Sequence, residues 1–299
     1  MDWFLLALLG AFIFTIISFV DKFILERKIR DYRGVPIYSG MVSFSFSVIA
    51  WTLSGFPTLP LRDTLILMAI GALSVYAAIF YFKAMQIEST STILVLMQIQ
   101  PIMVLVLSVI LLGELITVPQ LIGFACIVIA AVGVSLQRAH GFQLSAALVP
   151  ILIVNLLLAF TSVLFKYVVT DHDFLTVIIF ESWGVVLGVV IMFLVLPNVR
   201  RAFLLSWKTL EPSAIGLVVL NEVLVLTAHN SQNLAISLGS VSLVRVVGST
   251  QVFMGILLGW LVALWLPDVY PEDITRQGIT RKLGFAAIMF VGVGMLILV

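Results

Sequence analysis

The sequence predicts an all-α, polytopic membrane protein of about ten transmembrane helices arranged as two inverted five-helix repeats. Composition, the spacing of apolar runs and the recurrence of sequence blocks each point that way. Of 299 residues, 62% are hydrophobic and 10% charged, and the mean hydropathy is +1.22. A soluble domain carries about 25% charged residues, so lipid is the expected solvent for most of this chain. A spanning helix needs ~20 largely apolar residues, and runs of that length recur along the whole sequence. They are continuously apolar rather than alternating, which disfavours a β-barrel.

The first run, 2–24, lacks a basic leading segment and continues into Asp21-Lys22, so a retained helix is expected rather than a cleaved signal. After the polar stretch 22–35 come 36–55, 63–83 and 90–112, the last carrying Gln98, Gln100 and Pro101. The gap 112–117 is short, so the fifth run, 117–137, is an antiparallel neighbour of the fourth. The sixth, 145–168, carries Asn155, and the seventh, 174–196, carries Glu181. A polar stretch, 197–212, leads to the eighth run, 213–236, with Asn221, Glu222, His229, Asn230 and Asn233. The ninth, 240–264, carries Arg245 and Gln251, and 265–282 separates it from the tenth, 281–299. None of the polar stretches is long enough to fold as a soluble domain.

Basic residues orient the spans. With the N-terminus outside, the inner loops and helix ends hold Lys22, Arg27, Lys28, Arg30, Arg33, Lys83, Arg138, Arg200, Arg201, Lys208, Arg276, Arg281 and Lys282, against Arg62 and Lys166 outside. An even helix count then places both termini outside, in a multi-pass protein of a prokaryotic inner or cell membrane.

Net charge is +1, which argues against nucleic acid as a partner. Cys126 is the sole cysteine, so no intrachain disulfide or thiolate metal site can form. His140, His172 and His229 show no zinc-peptidase spacing. No metal or cofactor is expected. The Walker-type GxxxxGK[ST] sequence is missing, so energy comes from a gradient, from exchange or from the solute's own gradient. No catalytic cluster marks an intramembrane enzyme such as a lipid-group transferase, and a non-enzyme is expected.

The two halves share sequence. Gly123, Phe124, Ala125 and Gly133 match Gly284, Phe285, Ala286 and Gly294 at one constant shift. Ala84, Ser89, Ser91 and Gln100 match Ala235, Ser240, Ser242 and Gln251 at another, and Ser18 and Lys22 match Ser162 and Lys166. Five helices is an odd number, so the second copy enters the membrane with opposite polarity. Inverted repeats characterise secondary transporters, because similar halves in opposite orientation make outward-open and inward-open states similar in energy.

Ala84-Met-Gln-Ile-Glu-Ser-Thr-Ser-Thr, Gln100-Pro101, Leu112-Gly-Glu114 and Gln120-Leu-Ile-Gly123 resemble the repeat signature of the drug/metabolite transporter superfamily, specifically its EamA-type branch. The second copy is degraded: Val252 stands for the proline and Trp265-Leu-Pro-Asp268 for Leu-Gly-Glu. The resemblance implies two EamA-like repeats, 1–137 and 145–299, around a central cavity. It implies transport of small metabolites, amino acids, nucleotide sugars or lipid-linked groups. The superfamily's four-helix multidrug members use a glutamate in the first helix for proton coupling; here that helix has no glutamate and carries Asp21 beside Lys22 at its inner end.

The expected function is a secondary transporter for a small, amino-acid-like or other polar or amphipathic metabolite, working by alternating access. A nucleotide-sugar or lipid-linked-group carrier, and an intramembrane enzyme, are the alternatives. The partners are a small-molecule substrate, a proton or other ion, and the lipid bilayer; the oligomeric state stays open. Ionisable groups at membrane depth are the site candidates. Glu222 lies mid-helix with His229 two turns on along one face, a pair suited to proton relay or, alternatively, to packing. Arg245 either pairs with Glu181 or captures a carboxylate or phosphate. Gln98, Gln100, Gln251, Asn221 and Asn155 line a cavity or bond neighbouring helices. Lys22, Lys83 and Lys166 are expected to snorkel to the interface.

Overall fold

The computed structural model describes residues 2–29, 31–88, 93, 96–136, 146–263 and 276–297, and these residues are helical with no strand. The helices are α1 (Asp2–Arg27), α2 (Val35–Leu53), α3 (Leu61–Ile87), α4 (Ile99–Leu112), α5 (Val118–Leu136), α6 (Leu148–Val169), α7 (Phe174–Val195), α8 (Pro197–Thr209), α9 (Pro212–Leu238), α10 (Val241–Gly248), α11 (Gln251–Ala263) and α12 (Arg276–Ile297). Seven segments of the described residues are long and apolar enough to cross a membrane, and α4 and α5 are shorter apolar helices. Arg30, Ser89, Ser91, Arg138, His140 and Trp265-Leu-Pro-Asp268 lie outside the described residues.

Local chemistry sets the helix ends. Pro36, Pro197 and Pro212 occupy first turns, where a missing N–H costs nothing. Asp173 caps α7 by accepting from the Thr176 N–H, and Ser240 caps α10 through the Leu243 N–H. Gly113 ends α4 at φ +65, a left-handed conformation that glycine takes without strain.

Two features depart from the expected elements. The polar stretch 197–212 contains a helix, α8, whose Val199, Ala202 and Ser206 face the protein while Leu204, Leu205, Trp207 and Lys208 stay exposed. Its alternation of apolar and basic residues hid it from a search for apolar runs. The ninth run is broken into α10 and α11 by a turn at Ser249–Thr250, where the Ser249 N–H bonds the Val246 carbonyl and the Thr250 N–H that of Val247, one residue closer than an α-helix requires.

The helices of the two halves interlock. α1 packs mainly on α9 and, more lightly, on α10 and α11; α6 packs on α3 and α4. α2 lies against α7, and α5 against α12, where a Cβ on Gly292 would stand 2.7 Å from the Gly123 carbonyl oxygen. Gly123 and Gly292 thus allow the close helix contact their sequence suggested, whereas Gly284 and Gly294 face open space. α3 runs directly against α7, since a Cβ on Gly184 would meet the Met68 backbone at 2.5 Å and one on Gly71 would collide with the Glu181 carbonyl. The corresponding α2–α9 contact is slight.

Two apolar clusters occupy opposite ends of the bundle. One includes Ala7, Leu67, Phe165, Val177, Ile236 and Val244, the other Ile24, Tyr38, Phe82, Met85, Ile151 and Val218. Leu5, Phe12, Phe44, Ile49, Ile110 and Leu194 point outward, which suits a surface solvated by lipid.

Overpacking a close helix crossing costs about 1–3 kcal/mol or more. Gly184→Val is expected to lower the thermal unfolding midpoint of the detergent-solubilised protein. Gly216→Ala, whose new methyl meets nothing within 4 Å, should leave it unchanged or slightly raised.

Candidate functional site

Polar side chains gather in two groups along α9. The first lies toward its N-terminal half. Glu222, the eleventh residue of α9 and so ~15 Å along it, is 3% exposed and accepts a 2.6 Å hydrogen bond from Ser39 of α2. The amide of Asn221 donates to Asp21 of α1 at 2.8 Å. Tyr81 of α3 is hydrogen-bonded to both Asp21 and Ser18, and the Gln251 amide donates to Ser18 at 3.2 Å. Asp21 is 4% exposed and close enough for its charge to act on Glu222. α1 continues six residues past Asp21 to Arg27, which draws the carboxylate inside the bundle instead of leaving it at an interface.

The second group lies toward the C-terminal half of α9. His229 Nε2 is 3.0 Å from Glu181 Oε1, and the Asn233 amide donates to Glu181 Oε2 at 2.8 Å. Both oxygens of the buried Glu181 are thereby engaged from α9. Arg245 of α10 lies within electrostatic reach of Glu181 without an ion pair to it, and its Nε is buried with no hydrogen-bond partner. His229 therefore stands beside Glu181 and not beside Glu222, which corrects the expected relay pair. Of the two alternatives for Arg245, an ion pair with Glu181 does not form, and Glu181 bonds His229 instead.

The remaining candidates are more dispersed. Asn155 of α6 donates to the Leu96 carbonyl at 2.8 Å and joins neither group. Gln98 is buried at the entry to α4, and the Gln100 N–H bonds the Met97 carbonyl in the turn that opens that helix. Lys83 is exposed, as snorkelling requires. Lys22 and Lys166 do not snorkel. Lys22 donates to the Met85 and Glu88 carbonyls at the end of α3, and Lys166 to the Ile236 and Ser237 carbonyls at the end of α9. Helix C-termini carry partial negative charge and orphan carbonyls, so each ammonium meets a matched acceptor.

Three contributors were not anticipated: Asp21, Ser39 and Tyr81. An aspartate within an apolar run was the available signal for Asp21, but its proximity to Lys22 suggested a helix end. Serine and tyrosine in apolar helices carry no comparable mark. Glu114, part of the Leu-Gly-Glu turn, also has a definite place: it accepts from Ser240 Oγ, Ser242 Oγ and the Val241 N–H at 2.6–2.8 Å, closing the α4–α5 turn onto the start of α10.

Partial burial pushes the Glu114 carboxyl upward, but the hydrogen bonds from Ser242, Ser240 and Val241 outweigh it and hold it below the ordinary value of 4.5. A carboxyl lowered in the folded state contributes stability that is complete above its unfolded value and lost as pH falls through the folded one. Glu114→Ala is expected to cost roughly 1–3 kcal/mol at neutral pH. The gap from the parent should close below about pH 4, as followed by thermal denaturation across pH.

Among known proteins, a solved structure described as "Crystal structure of protein" aligns with 99% of this chain and 96% of its own, at 15% identity and a TM-score of 0.71. At that identity the likeness concerns the fold. None of the curated proteins matches the chain. The model of the EamA-like transporter family matches residues 1–136, which span α1 to the end of α5. Over its first 136 residues the chain is thus similar to the EamA-like transporter family, which is part of the drug/metabolite transporter superfamily.

Proposed function

We propose that this protein is a secondary transporter that moves a small polar or amphipathic metabolite, amino-acid-like in size, across the cytoplasmic membrane by alternating access between two inverted repeats. One observation carries the reading: the fourth and ninth runs are interrupted at equivalent places. The spacing that pairs Ala84 with Ala235, 151 residues, also pairs Gln98 with Ser249. Turns fall at Met97–Gln98 and at Ser249–Thr250. Interrupted helices near mid-membrane are costly unless they line a cavity or bind something, and paired interruptions related by an internal repeat mark transporter binding sites.

The lysines support the same symmetry. Lys22 and Lys166 are repeat partners, and the same 151-residue spacing pairs their acceptors Met85 and Ile236. One side chain tethers α1 to the end of α3, the other α6 to the end of α9. An inverted second copy puts these tethers on opposite sides of the membrane.

The group around Glu181 provides the substrate-facing chemistry in this reading. The unpartnered Nε of Arg245 offers a donor to a carboxylate or phosphate, while Glu181 stays occupied by His229 and Asn233. The orientation with both termini outside follows the basic-residue distribution.

Liposomes containing the purified protein should take up or exchange labelled solutes from a panel of amino acids, organic acids, sugars and nucleotides. No protein-dependent flux with any of them sinks the transporter reading. For an anionic solute, Arg245→Lys should cut the rate by about tenfold or more, since an ammonium cannot reproduce bidentate guanidinium contacts; a cationic or neutral solute should be little affected.

A further inference from the structure

The 151-residue repeat spacing pairs Gly71 with Glu222. In the first half the glycine lets α3 run onto the α7 backbone at Glu181, Gly184 and Val185. In the second half a buried carboxylate stands at that position and faces Ser39 of α2. The α2–α9 crossing is correspondingly slight where α3–α7 is tight. Glycine would serve packing at such a crossing; a carboxylate there requires another reason.

Its surroundings supply one. Asp21 and Glu222 are both under 5% exposed, and the groups bonded to them, Ser39, Asn221 and Tyr81, are neutral. Other titratable groups on the packed helices are engaged elsewhere. Lys22 holds the α3 carbonyls and Glu26, Tyr38 bonds Ser206, and His229 sits on Glu181. Arg245 lies near Glu181, Lys166 caps the far end of α9, and Lys83 is exposed. Among the described residues, neither carboxylate has an ion pair. Two buried carboxylates without a counter-charge are strongly disfavoured at membrane depth.

Asn221 adds an independent sign. It is 3% exposed, its Nδ2 is committed to Asp21, and its Oδ1 is buried with no hydrogen-bond partner. The amide is fixed against Asp21, so this free acceptor belongs to the same oxygen-rich group. It can accept from a carboxyl O–H or ligate a small metal cation.

We propose that Asp21, Glu222 and Asn221 form a binding site for one monovalent cation, a proton or a sodium ion, whose occupancy governs how closely α9 approaches α1 and α2. With the cation bound, one negative charge is neutralised and the Asn221 oxygen gains a partner. Without it, repulsion between the carboxylates favours separation of α9 and entry of water. This assignment rests on the transporter reading for its purpose, coupling solute movement to a cation gradient, but the binding itself is measurable without any solute.

The test uses the full chain in detergent at constant ionic strength, with sodium exchanged for a bulky organic cation and pH varied from about 5 to 8. A tenfold rise in the bound cation's activity should raise the thermal midpoint by about 3 °C over the range where the site fills. A response to acid alone identifies the proton, and a response to sodium at fixed pH identifies sodium. Asp21→Asn and Glu222→Gln should each abolish that response, and the milder Asn221→Ala should weaken it while leaving both carboxylates in place. A parent protein indifferent to both cations overturns the assignment, as does an Asn221→Ala variant that responds like the parent when neither carboxylate variant folds. Carboxylate variants that fold and respond like the parent overturn it too. Solute flux in liposomes persisting alongside any of these results would remove the cation site and leave the transporter reading standing.

Discussion

Every ionisable side chain carried into the bilayer must find its compensation inside the protein, because lipid offers none, and this constraint organises the molecule. A charge at the centre of a spanning helix costs several kcal/mol, so such groups call for specific partners. Lys22 and Lys166 are matched to the orphan carbonyls that end α3 and α9. Glu181 is enclosed by His229 and Asn233. Glu222 and Asp21 have only neutral donors, and Arg245 retains an unused donor. Compensated charges hold the helices in register, while Asp21, Glu222 and Arg245 have no ion pair among the described residues.

Small residues perform the complementary task. Gly71, Gly184 and Gly188 bring α3 and α7 into backbone contact, and Gly123 and Gly292 join α5 to α12. Between helices already desolvated by lipid, association depends on close packing more than on hydrophobic burial. Gly71 at the α3–α7 crossing and Glu222 at the α2–α9 crossing therefore give the two contacts different character. The α3–α7 helices meet backbone to backbone, whereas the slighter α2–α9 contact has the buried Glu222 facing Ser39.

The two polar groups lie along opposite halves of α9, with Asn221 and Glu222 on one side of its middle and His229 and Asn233 on the other. α9 is thus the element on which both groups bear. The Glu114 bonds to the start of α10 add a contact at the adjoining turn, so the broken ninth run is held at its N-terminus and turns at the buried Ser249–Thr250.

Much of this was written in the linear sequence. Continuous apolar runs of spanning length dictate helices in lipid, since no other open structure satisfies its backbone there, and the Leu-Gly-Glu turn with its neighbouring glycines carried the family. Charged and amide residues in those runs named Glu222, His229, Arg245, Glu181 and Asn221 as the chemically notable positions. What the sequence could not convey was pairing. Residues seven apart on one helix share a face, yet His229 turns to Glu181 because α7 packs beside it, and Asp21 reaches Asn221 because α1 crosses α9. Such partnerships join positions roughly 50 to 200 residues apart. They are decided by how whole helices cross, a property of the packed bundle that no local pattern encodes.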